Sequence, residues 1–541
     1  MSSAPQEVER ASPPSPTGEA GHTAAAQGPS FGYLLALFLF LHVTIMVSMR
    51  VYPFVDIPNH LALATINRHY AAANEFANYY TMDLFLRPNV FHLVFCSLPI
   101  FPSVEFANRV FYGLYIALFP VAALVLVRRV GGNPWYALLA FLVACNQSVV
   151  MGFVGFTLAV PLVLLAFACM IATIDTGRGH WMLAALFVLL FFVHVLGLLF
   201  AGLLFILALA LEARRGPRWM MRQLLPLVPA GLLVLVWKLT EVNDAEHSGS
   251  MLASMFYYYR AEYLGSIFRR LELLVSDNRH LAVAAAGMGI SVLAFGVVVA
   301  CLLGGVVRRL RAAAPLPLPR GTRWALLFTV AGAGCFFLLP EYLPGYSFIF
   351  QRFSVPFILG MIILAACLSR GAAHSRMPAV ICLCVALQMM LWAVYLYGFD
   401  RENRSIGIET LPSDAAPGTL AGVVFDPYYR GYPSRIHMAD YYVVWKKGIV
   451  AMRTLDARSF PIARRSDKGS LPRNHEWVRW WVESDGFDPR HYDDLDYLLV
   501  CGEIPMRARD LLAGFVLEKQ DGPWVLYRRH SIDPEPVTPG A

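Results

Sequence analysis

The chain has 541 residues, 57% of them hydrophobic and 15% charged, with a mean hydropathy of +0.54 and a formal net charge of +7. These values lie far outside the soluble range and exclude an ordinary water-soluble globular protein; they imply a chain that crosses a membrane many times. Nine cysteines are scattered, mostly in apolar stretches, with no CxxC pair, and Cys382 and Cys384 fall on different helix faces, which excludes a disulfide framework or a zinc site.

Residues 1–30 are rich in Ser, Pro, Ala and Gly and are expected to form a disordered cytoplasmic tail. The tail has no basic segment and no small-residue cleavage pattern before the apolar run Phe31 to Met49, so that run reads as a retained first transmembrane helix rather than a signal peptide. Further apolar spans follow at residues 106–127, 135–150, 153–174, 181–194, 196–212, 223–240, 281–307, 323–340, 353–369 and 377–397. The expectation is therefore an α-helical polytopic membrane protein of about eleven transmembrane helices. One long helix around His194 would shift the parity of everything after it, whereas two short helices keep the later arginine clusters inside.

With a cytoplasmic amino terminus, the arginines at 128–129, 214–222, 308–323 and 370–376 all fall on cytoplasmic connections. The positive charge is then topogenic, and no nucleic-acid partner is expected. The same parity places three segments outside: a loop at 50–105, a loop at 241–280, and everything from 398 to 541. In the second loop, FYYYRAEYLGSIFRRLELL can lie on the membrane with Arg260, Arg269 and Arg270 meeting lipid phosphates, or simply cover the bundle.

The last segment changes composition and reads as a small α/β domain. LAGVVFDP is a buried strand, DYYVVWKKG a helix stopped by Gly448, EWVRWWVES a helix capped by Asn474, LDYLLVCGE a strand, and PWVLYRR an edge strand. Trp477, Trp480 and Trp481 crowd the second of these helices.

Polar chemistry concentrates in the first outer loop, which opens VYPFVDIPNHLALATINRHY from Val51 to Tyr70. Pro58 suits the first position of a helix, making Ile57 the N-cap and the following residues a short amphipathic helix along the interface. Asp56 then sits at the mouth of the bundle, either complementing the helix end or serving as a reactive carboxylate. His60, one turn in, is either a hydrogen-bonding partner or a site residue. Within the spans the ionisable groups are only His42, His194 and Lys238, too few for an ion path, and no internal repeat marks a transporter.

A family resemblance rests on two segments. VDIPNHLALA resembles the DYPNHLAR-type signature of a group of bacterial membrane proteins with the GT-C glycosyltransferase fold, and GPWVLYRR at Gly522 to Arg529 resembles the pattern that closes their terminal domain. The resemblance implies transfer of a sugar from a polyprenyl-phosphate donor to a glycan, lipid or protein acceptor, with inversion, at the outer face of the inner membrane. It implies Asp56 as the first-loop acid that activates the acceptor, as the base that takes its proton, or helps hold a metal, with Asn59 and His60 beside it as substrate-binding residues. Arg352, in GYSFIFQRFSV, matches the basic residue that meets the departing phosphate, unless it snorkels to lipid headgroups. Tyr346 either stacks on a sugar or marks the aromatic belt, and Asp83 or Glu105 could pair with Asp56; Arg87 and Arg109 are poorer phosphate ligands. The turn NQSVVMGFVGF carries no acid, unlike metal-dependent relatives, so a divalent metal remains an open cofactor. The competing classes are a glycolipid transporter or flippase, and a non-catalytic membrane scaffold.

Overall fold

The computed structural model describes residues 29–70, 76–240, 251–276, 284–310, 318–343, 347–369, 376–411, 418–450, 461–465, 477–478 and 495–530. Most of them are helical. Eight helices among the described residues are long and apolar enough to cross a bilayer: Ser30–Val47, Val104–Arg129, Val154–Thr176, Pro217–Thr240, Ala286–Val307, Arg320–Leu338, Ile349–Leu368 and Met377–Asn403. Three shorter apolar segments, Pro134–Val150, His180–Val193 and Val195–Leu211, account for the remaining apolar runs of the sequence.

Two of these short segments owe their form to one residue. His194 is extended, with φ −167° and ψ 121°, and it ends one helix at Val193 while capping the next, its Nδ1 accepting from Leu196 N–H at 3.2 Å. The two helices expected around His194 are therefore separate. Pro134–Val150 is not a single span either. It runs as a 3₁₀ turn and a short α-helix, breaks at Cys145, and restarts at Gln147 because Asn146 Oδ1 accepts from Ser148 and Val149 N–H.

The Val104–Arg129 helix gives the molecule its two ends. Its first turn holds Glu105 and its last holds Arg128 and Arg129, each sign suiting the helix dipole there. Arg129 meets Asp175 at 3.1 Å, Arg320 bridges Asp175 at 2.6 Å and Glu212 at 3.3 Å, and Arg215 meets Glu212 at 2.8 Å. This ion-pair network closes one end of the bundle.

A small sheet domain closes the other. Its strands are β2 (Thr419–Val424), β3 (Ile449–Val450), β5 (Trp477–Val478), β6 (Tyr497–Cys501), β7 (Phe515–Asp521) and β8 (Trp524–Arg529), in the order β3-β2-β6-β8-β7 with β5 also pairing β2. The contacts of β2 with β3, β5 and β6 are parallel, and β6-β8-β7 are antiparallel. Three expectations need correction. The strand at Trp524–Arg529 lies inside the sheet and β7 is the edge; hairpin pairing with β7 on one flank and β6 on the other covers it. Trp477 and Val478 form a strand beside Val423 and Val424 rather than a helix, while Asn474, Trp480 and Trp481 fall outside the described residues. The helix Tyr441–Lys446 ends one residue earlier than expected, with Lys447 rather than Gly448 in the left-handed region at φ 56°.

Polar contacts seat the sheet domain on the bundle. Buried Asp400, near the end of the last span, accepts from Arg50 and Val51 N–H at 2.9 and 2.8 Å and from Arg404. Trp524, of the GPW pattern, donates its indole N–H to Asn403 at 3.0 Å, and Trp445 donates to Glu105 at 2.8 Å. In the first loop, β1 (Tyr80–Met82) pairs antiparallel with β4 (Ile462–Arg464) from the carboxy-terminal segment.

Candidate active site

The site forms where the first loop, two turns of the bundle and the sheet domain meet. The Ile57–His69 helix starts one residue earlier than expected, so Asp56 is itself the N-cap, at φ −90° and ψ 0°, and Pro58 is within the first two positions. Its surroundings also differ from expectation. Ile57, Pro58, Asn59, Leu61 to Ile66 are all buried, so this is a helix enclosed on nearly every side rather than an amphipathic one lying on lipid. The enclosing partners, the Phe91–Ser97 and Tyr441–Lys446 helices among them, come from distant sequence.

Asp56 makes no capping hydrogen bond with its side chain. Its Oδ1 lies 3.6 Å from Nε2 of His437, which the sheet domain supplies. The backbone is pinned beneath it: Val55 N–H donates to Val150 O at 2.8 Å and Asp56 N–H to Met151 O at 3.3 Å. Gly152, at φ 78°, presses so closely on Asp56 that an added Cβ would stand 2.6 Å from its nitrogen. Asn59 is buried one residue before His60, whose ring lies 5.5 Å from that of His92. Burial, with His92 and His437 nearby, pushes the His60 imidazole down to about 3, so it is neutral at ordinary pH.

Arg352 reaches the same place from another element. The guanidinium carbon lies 4.0 Å over the ring of Phe153, the residue that follows Gly152, and the Asp56 carboxylate acts on it through space. Consecutive residues of one turn therefore touch both candidates. Arg352 Nη1 is 3.1 Å from His194 Nε2, and its buried Nε has no hydrogen-bond partner. A neutral imidazole offers one acceptor lone pair. Leu196 N–H and Arg352 both aim donors at this ring, so one of them goes unmet. The turn of helix Ile349–Arg352 that carries the arginine begins at Phe348, a non-glycine residue at φ 56°, a conformation that costs about 1–3 kcal/mol and clusters at functional sites.

The other candidates lie elsewhere or are otherwise engaged. Asp83 is ion-paired to Arg87 at 2.6 Å and its backbone joins the β1–β4 edge; Glu105 holds Trp445. Tyr346 lies outside the described residues. Arg269 and Arg270 have partners within the protein: Arg269 pairs with Glu341 at 2.9 Å, and fully buried Arg270 donates to Phe336 O, to Leu339 O at 2.8 Å and to the Tyr258 hydroxyl. Among the described residues no three His, Cys, Asp or Glu side chains converge on one point.

Sequence reasoning missed His437, His194, Gly152 and Phe153 as site residues. The signals were faint: Gly–Phe after a broken apolar run, and a histidine at the seam of two spans.

The fold has solved counterparts. ArnT from Cupriavidus metallidurans, in a crystal structure bound to undecaprenyl phosphate, superposes with a TM-score of 0.55 at 12% identity, over 94% of this chain and 99% of that one. The same protein in its apo state gives 0.53 at 12% identity, over 92% and 98%. The architecture is thus the GT-C fold with a terminal sheet domain. No family model matches the chain, and no curated protein matches it.

Proposed function

We propose that this protein is a membrane glycosyltransferase that moves a sugar from a polyprenyl-phosphate donor to an acceptor hydroxyl at the extracytoplasmic face, with inversion. The amino terminus and the arginine network lie on the cytoplasmic side, and the sheet domain outside. The observation that carries the reading is the meeting, at one turn of a GT-C bundle, of a carboxylate and a half-buried guanidinium whose buried Nε has no hydrogen-bond partner. That the neighbouring ArnT structure holds undecaprenyl phosphate supports the donor class.

The chemistry follows from these two groups. An alcohol is a weak nucleophile, so Asp56 takes its proton while the oxygen's electron pair bonds to the anomeric carbon. The bond from that carbon to the phosphate oxygen breaks with its electron pair, and the charge left on the phosphate is met by Arg352. An orphaned buried donor costs about 1–3 kcal/mol, and an anionic ligand removes that cost for Arg352 Nε. His194 Nε2 lies 3.1 Å from the guanidinium, and the rings of Phe153 and Phe156 pack against it. Asn59 and His60 stand on the turn of helix just behind the base.

Purified protein in vesicles containing a polyprenyl-phosphate sugar tests the reading. Transfer with inverted stereochemistry is expected, with a loss of at least about 100-fold in Asp56→Asn. Unchanged turnover in that variant, or leaflet exchange of the lipid without any product, would refute it.

A further inference from the structure

Asp56 belongs to the bundle, but the side chain facing it does not. His437 stands at the end of a segment of the sheet domain that is tied down on both sides. Ser434 Oγ donates to Pro53 O at 2.8 Å, linking positions 381 residues apart in sequence and lying three residues before the carboxylate. Buried Arg435 binds Asp426 Oδ2 at 2.5 Å and Glu402 at the end of the last span, and Asp440 N–H donates to His437 O at 3.0 Å. The loop that presents His437 is thus clamped to the same junction that presents Asp56.

We propose that His437 is a proton relay and positioning residue that acts through Asp56, so that the sheet domain completes the transfer site; this rests on the glycosyltransferase reading above. The side chain of Asp56 is 34% exposed and that of His437 14%. Donor and acceptor must cover that exposed third of the carboxylate, leaving the histidine as its neighbour of base strength. When the acceptor's proton has moved to Asp56, the O–H bond on the carboxyl breaks, the proton joins the lone pair of neutral His437 Nε2, and the carboxylate is restored. The imidazolium then loses the proton to water at the domain boundary. Each turnover moves one proton along this path, and no other reactant is needed.

The charged and titratable groups around the pair come from every packed element. His60 lies on the Ile57–His69 helix, and His92 on the Phe91–Ser97 helix behind it. Tyr112, which Asp56 acts on, belongs to the Val104–Arg129 helix, and Arg352 to the turn before Ser354. Arg435 and Asp440 are on the histidine's own segment. Of these groups, His437 is the imidazole that faces the Asp56 carboxylate from the sheet domain, at 3.6 Å.

The test compares full-length wild type, His437→Gln and His437→Ala in vesicles, with a donor and acceptor pair on which the wild type turns over. In His437→Gln, kcat is expected to fall about 100-fold with the donor KM within about twofold, and the acid limb of the rate–pH profile to move to the lower pH of Asp56 alone. Added imidazole should restore part of the rate of His437→Ala. A glutamine variant with wild-type kcat overturns the relay. So does a slow variant that keeps the wild-type acid limb and ignores imidazole, since that pattern marks packing alone. Failure of the wild type to transfer any sugar, by contrast, strikes the glycosyltransferase reading itself and removes the relay with it.

Discussion

Gly152 does more for the site than any acid in its turn would. It holds φ at 78°, a region costly to residues with a Cβ, and it lies against the Asp56 backbone with no room for one. Its neighbour Phe153 lies beneath the Arg352 guanidinium, so this one turn touches both the Asp56 backbone and the cation. In Gly152→Ala the backbone strain alone costs about 1 kcal/mol or more, and the clash at 2.6 Å must push Asp56 or the turn aside. The expected outcome is a modest drop in thermal midpoint with a far larger loss of transfer, because a displacement of ~1 Å at a reacting group costs about 100-fold. Equal, small losses in both measurements would show that the turn does not position the carboxylate. The sequence NQSVVMGFVGF was searchable for acids, but a dihedral angle and the backbone it touches leave no trace in composition.

The Ile57–His69 helix shows how an element can be legible while its environment is not. Pro58 and the run to His69 announce a helix in any setting. Whether lipid or protein surrounds it depends on Tyr441–Lys446, folded back from the far end of the chain. Enclosure has a measurable consequence through two histidines outside the spans. Burial, together with His92 and His437, lowers His60 to about 3, and burial lowers His92 to about 4 against the opposing effect of its hydrogen bond to Asn108 Oδ1. In the unfolded chain both titrate near ~6.5. Since the folded values are depressed, the unfolded state binds more protons as pH falls below ~6.5, and stability declines progressively down to about pH 3, the folded value of His60. Thermal midpoints in detergent should therefore fall across that window, and His92→Gln, which keeps an amide near Asn108, should flatten the slope. A His92→Gln slope matching the wild type would mean that the imidazole is not enclosed.

At the scale of the whole molecule, the architecture was more legible in the sequence than the site. Apolar runs, arginine clusters and the shift in composition after residue 398 are local properties, each readable in place. The site draws Asp56, Gly152, His194, Arg352 and His437 from five separate segments, and nothing in a single sequence links them. The polarity can be examined directly. The Val104–Arg129 helix has Glu105 bound to the sheet domain at one end and Arg129 in the ion-pair network at the other. At 1.5 Å per residue its 26 residues span about 39 Å, more than the ~30 Å hydrocarbon core. That length suits a helix whose two polar ends face opposite aqueous compartments, and the proposed orientation puts the arginine end in the cytoplasm. Seven of the nine native cysteines are buried and none is exposed, so introduced thiols will report above a low background. In intact cells, Gln520→Cys on the exposed edge of β7 should react with a membrane-impermeant maleimide, and Arg218→Cys should react only after lysis. The opposite labelling pattern would invert the bundle and place Asp56, Arg352 and His437 on the cytoplasmic face, where the proposed acceptor side would have to be abandoned.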